Sequence, residues 1–185
     1  MTTPELPWMR MKQPDQRSCG PSSLVAARMV VDPSYSPTSF SDEVLALHRR
    51  ITRPAAFGRA QLPWPRALGT PPRAAAAAMT EITAVAYRTH VVRWGGRRDD
   101  LVRLDAAGTE THPCPLYVGD RWLPRHVLLV VSTASTGLEI YNPGRGTVTT
   151  VDRDAFEAGD LGDVTRWRRP WFLVSPRPRA RRTAA

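Results

Sequence analysis

The period of the hydrophobic positions changes about midway along the chain. In Cys19–Val31 (CGPSSLVAARMVV), Leu24, Ala27 and Val31 recur at helical spacing, and Asp32-Pro33 stops the pattern. Pro21 fits such a helix because amides in a first turn have no intrahelical acceptor to lose. The pattern predicts a second helix over 41–51, with Ser41 as its N-cap. Residues 53–73 carry five prolines and two glycines, the composition of a long irregular or covering segment. Five consecutive alanines then predict a helix over 72–82.

Beyond that point β-branched and aromatic residues take over. Residues 84–94 read as entering a sheet, and 99–104 as a short helix before a turn at Gly108. Strand-like runs follow at 114–118, 126–132, 138–141 and 146–151, separated by short turns such as Ser135-Thr136-Gly137. One helical turn at 154–158 and a last strand at 171–174 complete the pattern. Helices first and antiparallel strands second predict an α+β fold with N-terminal helices packed on a C-terminal antiparallel sheet. There is no internal repeat, and residues 1–175 read as one domain.

Charge changes this picture little. The formal net charge is +9, and of 26 basic residues only Lys12 is not arginine. Much of the excess lies near the C-terminus, at Arg166, Arg168, Arg169, Arg177, Arg179, Arg181 and Arg182. Residues 176–185 lack apolar periodicity and read as a basic, disordered tail. Zinc-finger spacing, aromatic-glycine RNA motifs and a helix-turn-helix are missing, so nucleic acid is not the expected partner. No apolar run is long enough to span a membrane, and the N-terminus lacks the apolar core of a secretory signal; a cytoplasmic protein is expected.

The two cysteines, Cys19 and Cys114, are not expected to pair in a reducing compartment. His112 and Cys114 have no second ligand pair at familiar spacing, so neither a metal nor another cofactor is expected, and Cys114 reads as a small apolar residue entering a strand. Cys19 is different. At a helix N-terminus, unpaired amides and the helix dipole favour thiolate, the form that attacks a carbonyl. Gly20 would let a substrate approach, and Gln13, six residues before Cys19, could supply a second oxyanion donor beside the Cys19 amide. His126 is a polar residue opening the apolar strand HVLLVV. Asn142 lies sixteen residues further on, the spacing of one strand out and the next strand back. A side-chain oxygen there could orient the imidazole; Asn-Pro-Gly is equally a turn signal. Trp122 and Arg125, beside His126, read either as the wall of a substrate pocket or as an ordinary loop.

Gln-x5-Cys-Gly-Pro opening a helix, a strand histidine, and Asn142 before a proline together resemble the papain-like cysteine peptidases. The nearest branch is the bacteriocin-processing peptidases that remove double-glycine leader peptides. The resemblance runs from Gln13 to Phe156 and rests on about a dozen residues. It implies Cys19 as nucleophile, His126 as base and acid, Asn142 as orienting residue and Gln13 as oxyanion donor, acting on a peptide or protein substrate. Three features depart from the pattern. The family usually has aspartate where Asn142 stands, the interval from Cys19 to His126 is long, and those peptidases usually precede a transporter. The same acyl-enzyme could be intercepted by an amine, making an acyltransferase or transpeptidase; a non-catalytic peptide-binding module is the other alternative. Substrate and oligomeric state are not legible in the sequence.

Overall fold

The computed structural model describes residues 7–53, 55–56, 59–60, 69–92 and 97–177. A 3-10 turn at Trp8–Arg10 leads to α1 (Cys19–Val31), α2 (Phe40–Ile51), the short hairpin β1 (Ala55–Ala56) and β2 (Arg59–Ala60), and α3 (Pro72–Thr83). Then come β3 (Tyr87–Val91), α4 (Arg97–Ala107), β4 (Cys114–Gly119), β5 (Pro124–Ala134), β6 (Gly137–Asn142), β7 (Thr147–Val151), α5 (Arg153–Ala158) and β8 (Arg169–Pro176). The six long strands form one antiparallel sheet in the order β3-β8-β4-β5-β6-β7, with the helices packed on it. This is the α+β arrangement that the change of period implies. Among the described residues no helix is long and apolar enough to cross a membrane. The tail beyond Arg177 and the expected strand end at Trp94 lie outside the described residues, as does most of the proline-rich segment.

α1 has the boundaries its sequence predicts, but it is not one-faced. Cys19 to Ala27, Met29 and Val30 are all buried, on every side of the helix. Small residues make that enclosure possible: Gly20, Ser22, Ser23, Ala26 and Ala27 let neighbouring elements approach its backbone closely. α2 shows the amphipathic pattern instead, burying Val44, His48 and Ile51. Its N-cap is Ser39 rather than Ser41: the Ser39 side chain accepts from the Asp42 amide, and the helix opens at Phe40. Both serines satisfy the capping rule by type, and local sequence does not separate them.

All six residues of β4 are buried, as befits a central strand covered on both faces. Next to it, β5 and β6 form a hairpin in which Ala134 pairs with Gly137 and Leu129 with Tyr141. Carried towards its open end, that register sets the start of β5 beside the end of β6. α1 is fastened to the same region, where the Ser23 hydroxyl donates to the Val127 carbonyl at 3.3 Å.

Candidate active site

Asn142 is the most fully determined residue of the site. It ends β6 and is 97% buried (3% exposed). Its Nδ2 donates to the Val164 carbonyl at 2.7 Å, while its Oδ1 accepts from the Gly144 amide at 2.8 Å. These two partners fix which end of the side-chain amide is which, because Val164 offers only an acceptor and Gly144 only a donor. The Oδ1 lies 2.9 Å from His126 Nε2. An oxygen acceptor demands a proton on that nitrogen, so the imidazole is the Nε2–H tautomer and Nδ1 keeps its lone pair.

Asn142 is at once a turn residue and a partner of the imidazole. Its backbone carbonyl accepts from Arg145 and Gly146, closing the turn between β6 and β7, while its side chain serves the imidazole. Gly144 belongs to the same construction. A Cβ there would lie 3.2 Å from Asn142 Oδ1 and 3.5 Å from His126 Cε1. The same Cβ would come 3.7 Å from Gln13 Oε1, so three expected site residues converge on this glycine.

Gln13 is held there by its backbone, whose amide donates to the Pro143 carbonyl at 2.8 Å. Its side chain is not set as the sequence suggests. Nε2 donates to the Asp15 carbonyl at 2.6 Å, and Oε1 is buried without a hydrogen-bond partner. One amide hydrogen is therefore committed to the loop, and the other remains for an oxyanion.

Cys19 opens α1 and is only 5% exposed. Burial pushes its thiol up to about 11, although backbone hydrogen bonds at Val127, Gly20 and Cys19 itself pull the other way. Desolvation thus opposes the effect of the helix terminus on this thiol. The role of Val127 also locates the sulfur against β5, one residue from His126. Burial, together with the nearby charge of Arg166, lowers the His126 pKa; the Asn142 hydrogen bond raises it, but less. Burial thus disfavours the charged form of both groups.

Gly20 has a different role from the one its sequence position suggests. A Cβ on it would meet Thr70 Oγ1 at 2.1 Å, so Thr70 rather than a substrate fills that space. Thr70 is buried with its hydroxyl unpartnered, and its carbonyl accepts from Tyr117 Oη at 3.0 Å. Ionisation of Cys19 would raise the pKa of the Tyr117 hydroxyl further, so the two groups are close. Thr70, Tyr117, Tyr141 and Val164 were not among the expected site residues. Each acts through contacts far away in sequence and carries no local motif.

No family model matches the sequence, and no curated protein matches it. Among solved structures, a double glycine motif protease from an AMS/PCAT transporter, in complex with the leader peptide, matches with a TM-score of 0.50 at 10% identity, over 90% of this chain and 89% of that one. The chain has the fold of a double-glycine peptidase domain. The peptidase domain of Streptococcus ComA, a bifunctional ABC transporter of a quorum sensing pathway, matches with a TM-score of 0.49 at 17% identity, over 90% of this chain and 96% of that one.

Around this peptidase-type fold, the β4–β5 turn carries Trp122, 67% exposed, and Leu123, 48% exposed. Asp120 shapes the turn by accepting from the Trp122 and Leu123 amides and pairing with Arg125 at 3.0 Å. These hydrogen bonds hold its carboxyl down at about 2. Cys114, by contrast, is fully buried at the start of β4, and burial alone raises its thiol pKa far more than that of Cys19. Both cysteines are free. Among the described residues no group of three His, Cys, Asp or Glu side chains could hold a metal ion.

Proposed function

We propose that this chain is a cysteine peptidase that cleaves a peptide bond through Cys19, His126, Asn142 and Gln13. The observation that carries the reading is the doubly anchored Asn142 amide, which leaves Nδ1 as the basic nitrogen of His126, one residue before the Val127 that bonds to Cys19. A turn residue needs no such arrangement with an imidazole.

The chemistry begins from a neutral pair, a protonated thiol and an unprotonated imidazole nitrogen. His126 Nδ1 takes the thiol proton as Cys19 Sγ bonds to the substrate carbonyl carbon. The carbonyl oxygen becomes an oxyanion facing the Cys19 amide and the remaining Gln13 amide hydrogen. As the carbon–nitrogen bond breaks, the proton on Nδ1 passes to the leaving amine, and a thioester remains. Water then gives a proton to Nδ1 while its oxygen attacks the thioester. The carbon–sulfur bond breaks, the sulfur recovers that proton, and the acid is released. Asn142 keeps Nε2 protonated and the ring in plane throughout.

A second reading, a non-catalytic peptide-binding module, is favoured by the enclosure and raised pKa of the Cys19 thiol. Turnover separates the two. Peptides with a Gly-Gly pair before the tested bond, as in the leader peptides of the structural relatives' class, should be cleaved by the wild-type chain and not by Cys19→Ala. Equal cleavage by both proteins, or binding with no cleavage, would remove the peptidase reading. Adding an amine nucleophile and finding amide product in place of acid would move the function to acyl transfer.

A further inference from the structure

Two exposed guanidinium groups flank the imidazole pair, and among the described residues neither is in an ion pair. Arg145 follows Gly144, the glycine packed on His126, and its Nη1 is held by the Asp163 carbonyl at 2.9 Å. Arg166 comes two residues after Val164, whose carbonyl anchors Asn142; its Cζ stands 4.7 Å from the centroid of the Trp167 ring. Both side chains are thus braced by neutral partners, which keeps their position without cancelling their charge. Arg166 is close enough for its charge to be felt at His126.

The acidic groups nearby are distributed unevenly. Asp163 lies in the same segment and offsets part of this charge, while Asp120 is already paired with Arg125. Asp15, whose charge is felt at Cys19, belongs to the loop that Gln13 packs against Gly144. The two arginines place positive charge beside the imidazole. In the acyl-transfer reaction the imidazole protonates the leaving amine, so the leaving segment of the substrate must pass on the imidazole side.

We infer that the leaving segment is acidic, recognised by Arg145 and Arg166 within the first few residues after the scissile bond. This deepens the peptidase reading and rests on it. A carboxylate there meets two pre-positioned cations. The pair thus selects both the charge of the substrate and the side of the cut on which it lies.

Two peptide probes test this, each with Gly-Gly before the bond and either Glu-Glu or Gln-Gln after it. Binding is read by fluorescence polarisation on Cys19→Ala, and cleavage on the wild type. The Glu-Glu probe should bind about three- to tenfold tighter, the range of one or two exposed ion pairs, and the preference should shrink as salt rises. Arg145→Gln/Arg166→Gln should abolish the preference. Equal binding of the two probes, binding of neither, or a preference that survives in the double variant overturns the inference. Wild-type cleavage of both probes at equal efficiency overturns it too, while leaving the peptidase reading standing. Selective binding without turnover does the reverse, keeping the acid-selective surface and removing the peptidase.

Discussion

The hydroxyl of Tyr141 donates to the carbonyl of Met11, joining the strand that carries Asn142 to the segment that carries Gln13. One residue beyond Tyr141 is the imidazole's partner, and two beyond Met11 is the expected oxyanion donor. Trp8 reinforces the junction, with its ring centroid 4.9 Å from that of Tyr141. The Gln13 amide closes it on the far side at the Pro143 carbonyl. His126 and Gln13 are thus set relative to each other by one short stretch of β6 and its turn.

Tyr141→Phe should leave the ring stacking in place and remove only the hydroxyl. Leaving a buried carbonyl without its donor costs about 1–3 kcal/mol, visible as a lower midpoint in urea. If Tyr141 acts through Gln13, kcat falls more than KM rises, and its effect is smaller in a Gln13→Ala background. Additive effects in that double-mutant cycle would reduce Tyr141 to a purely structural residue.

Asn142→Asp should raise the His126 pKa, because a carboxylate stabilises imidazolium better than an amide does. The acid limb of kcat/KM then moves to higher pH. The same change leaves a carboxylate oxygen facing the Val164 carbonyl, so stability falls. Asn142→Ala lets the ring turn and should lower kcat by roughly 100-fold. An aspartate variant with an unmoved acid limb would contradict the orienting role.

The pH profile of the wild type follows from the neutral resting pair. Activity requires unprotonated His126, and its pKa is depressed, so the acid limb should lie below the ordinary histidine value of about 6.5. The alkaline limit belongs to the thiol, near 11. Stability has the same sign on the acid side. Between the unfolded and folded histidine values the unfolded chain binds the extra proton, so acidification through that window weakens the fold. An alkaline limb well below the thiol value, where an imidazolium would lose its proton, would show an imidazolium–thiolate pair instead.

Gly20→Ala should be damaging although alanine is the better helix former, because its methyl must displace the Thr70 hydroxyl. Overpacking of this kind costs about 1–3 kcal/mol. Thr70→Gly should recover much of the loss when combined with Gly20→Ala, since it removes both the hydroxyl and the Cβ that the new methyl would meet at 2.5 Å. Failure of that rescue, measured by thermal unfolding, would mean that the space above Gly20 is needed for something other than Thr70.

The sequence carried the architecture further than it carried the site's environment. The limits of α1 were legible because Pro21 and Asp32-Pro33 act locally on the backbone. The β5–β6 hairpin was legible because two strands and a short turn leave few ways to bring His126 and Asn142 together. Ser39 and Ser41 are equivalent by type, and only the tertiary position of α2 decides between them. The thiol's high pKa could not be read from a helix start, since it depends on enclosure by β4, β5 and Thr70. The commitment of the Gln13 amide to Asp15 and the anchoring of Asn142 by Val164 are decided by folded geometry, for which residue type gives no signal.

The central claim is that His126, oriented by Asn142, serves the Cys19 thiol. Intact-mass spectrometry after treatment with a peptidyl vinyl sulfone ending in Gly-Gly tests it most directly, because addition needs both the sulfur and a proton donor beside it. The account predicts one adduct, mapped to Cys19, on the wild type. It predicts none on Cys114, and loss of the adduct in both Cys19→Ala and His126→Ala. An adduct that forms as fast on His126→Ala as on the wild type, or that maps to Cys114, would contradict it.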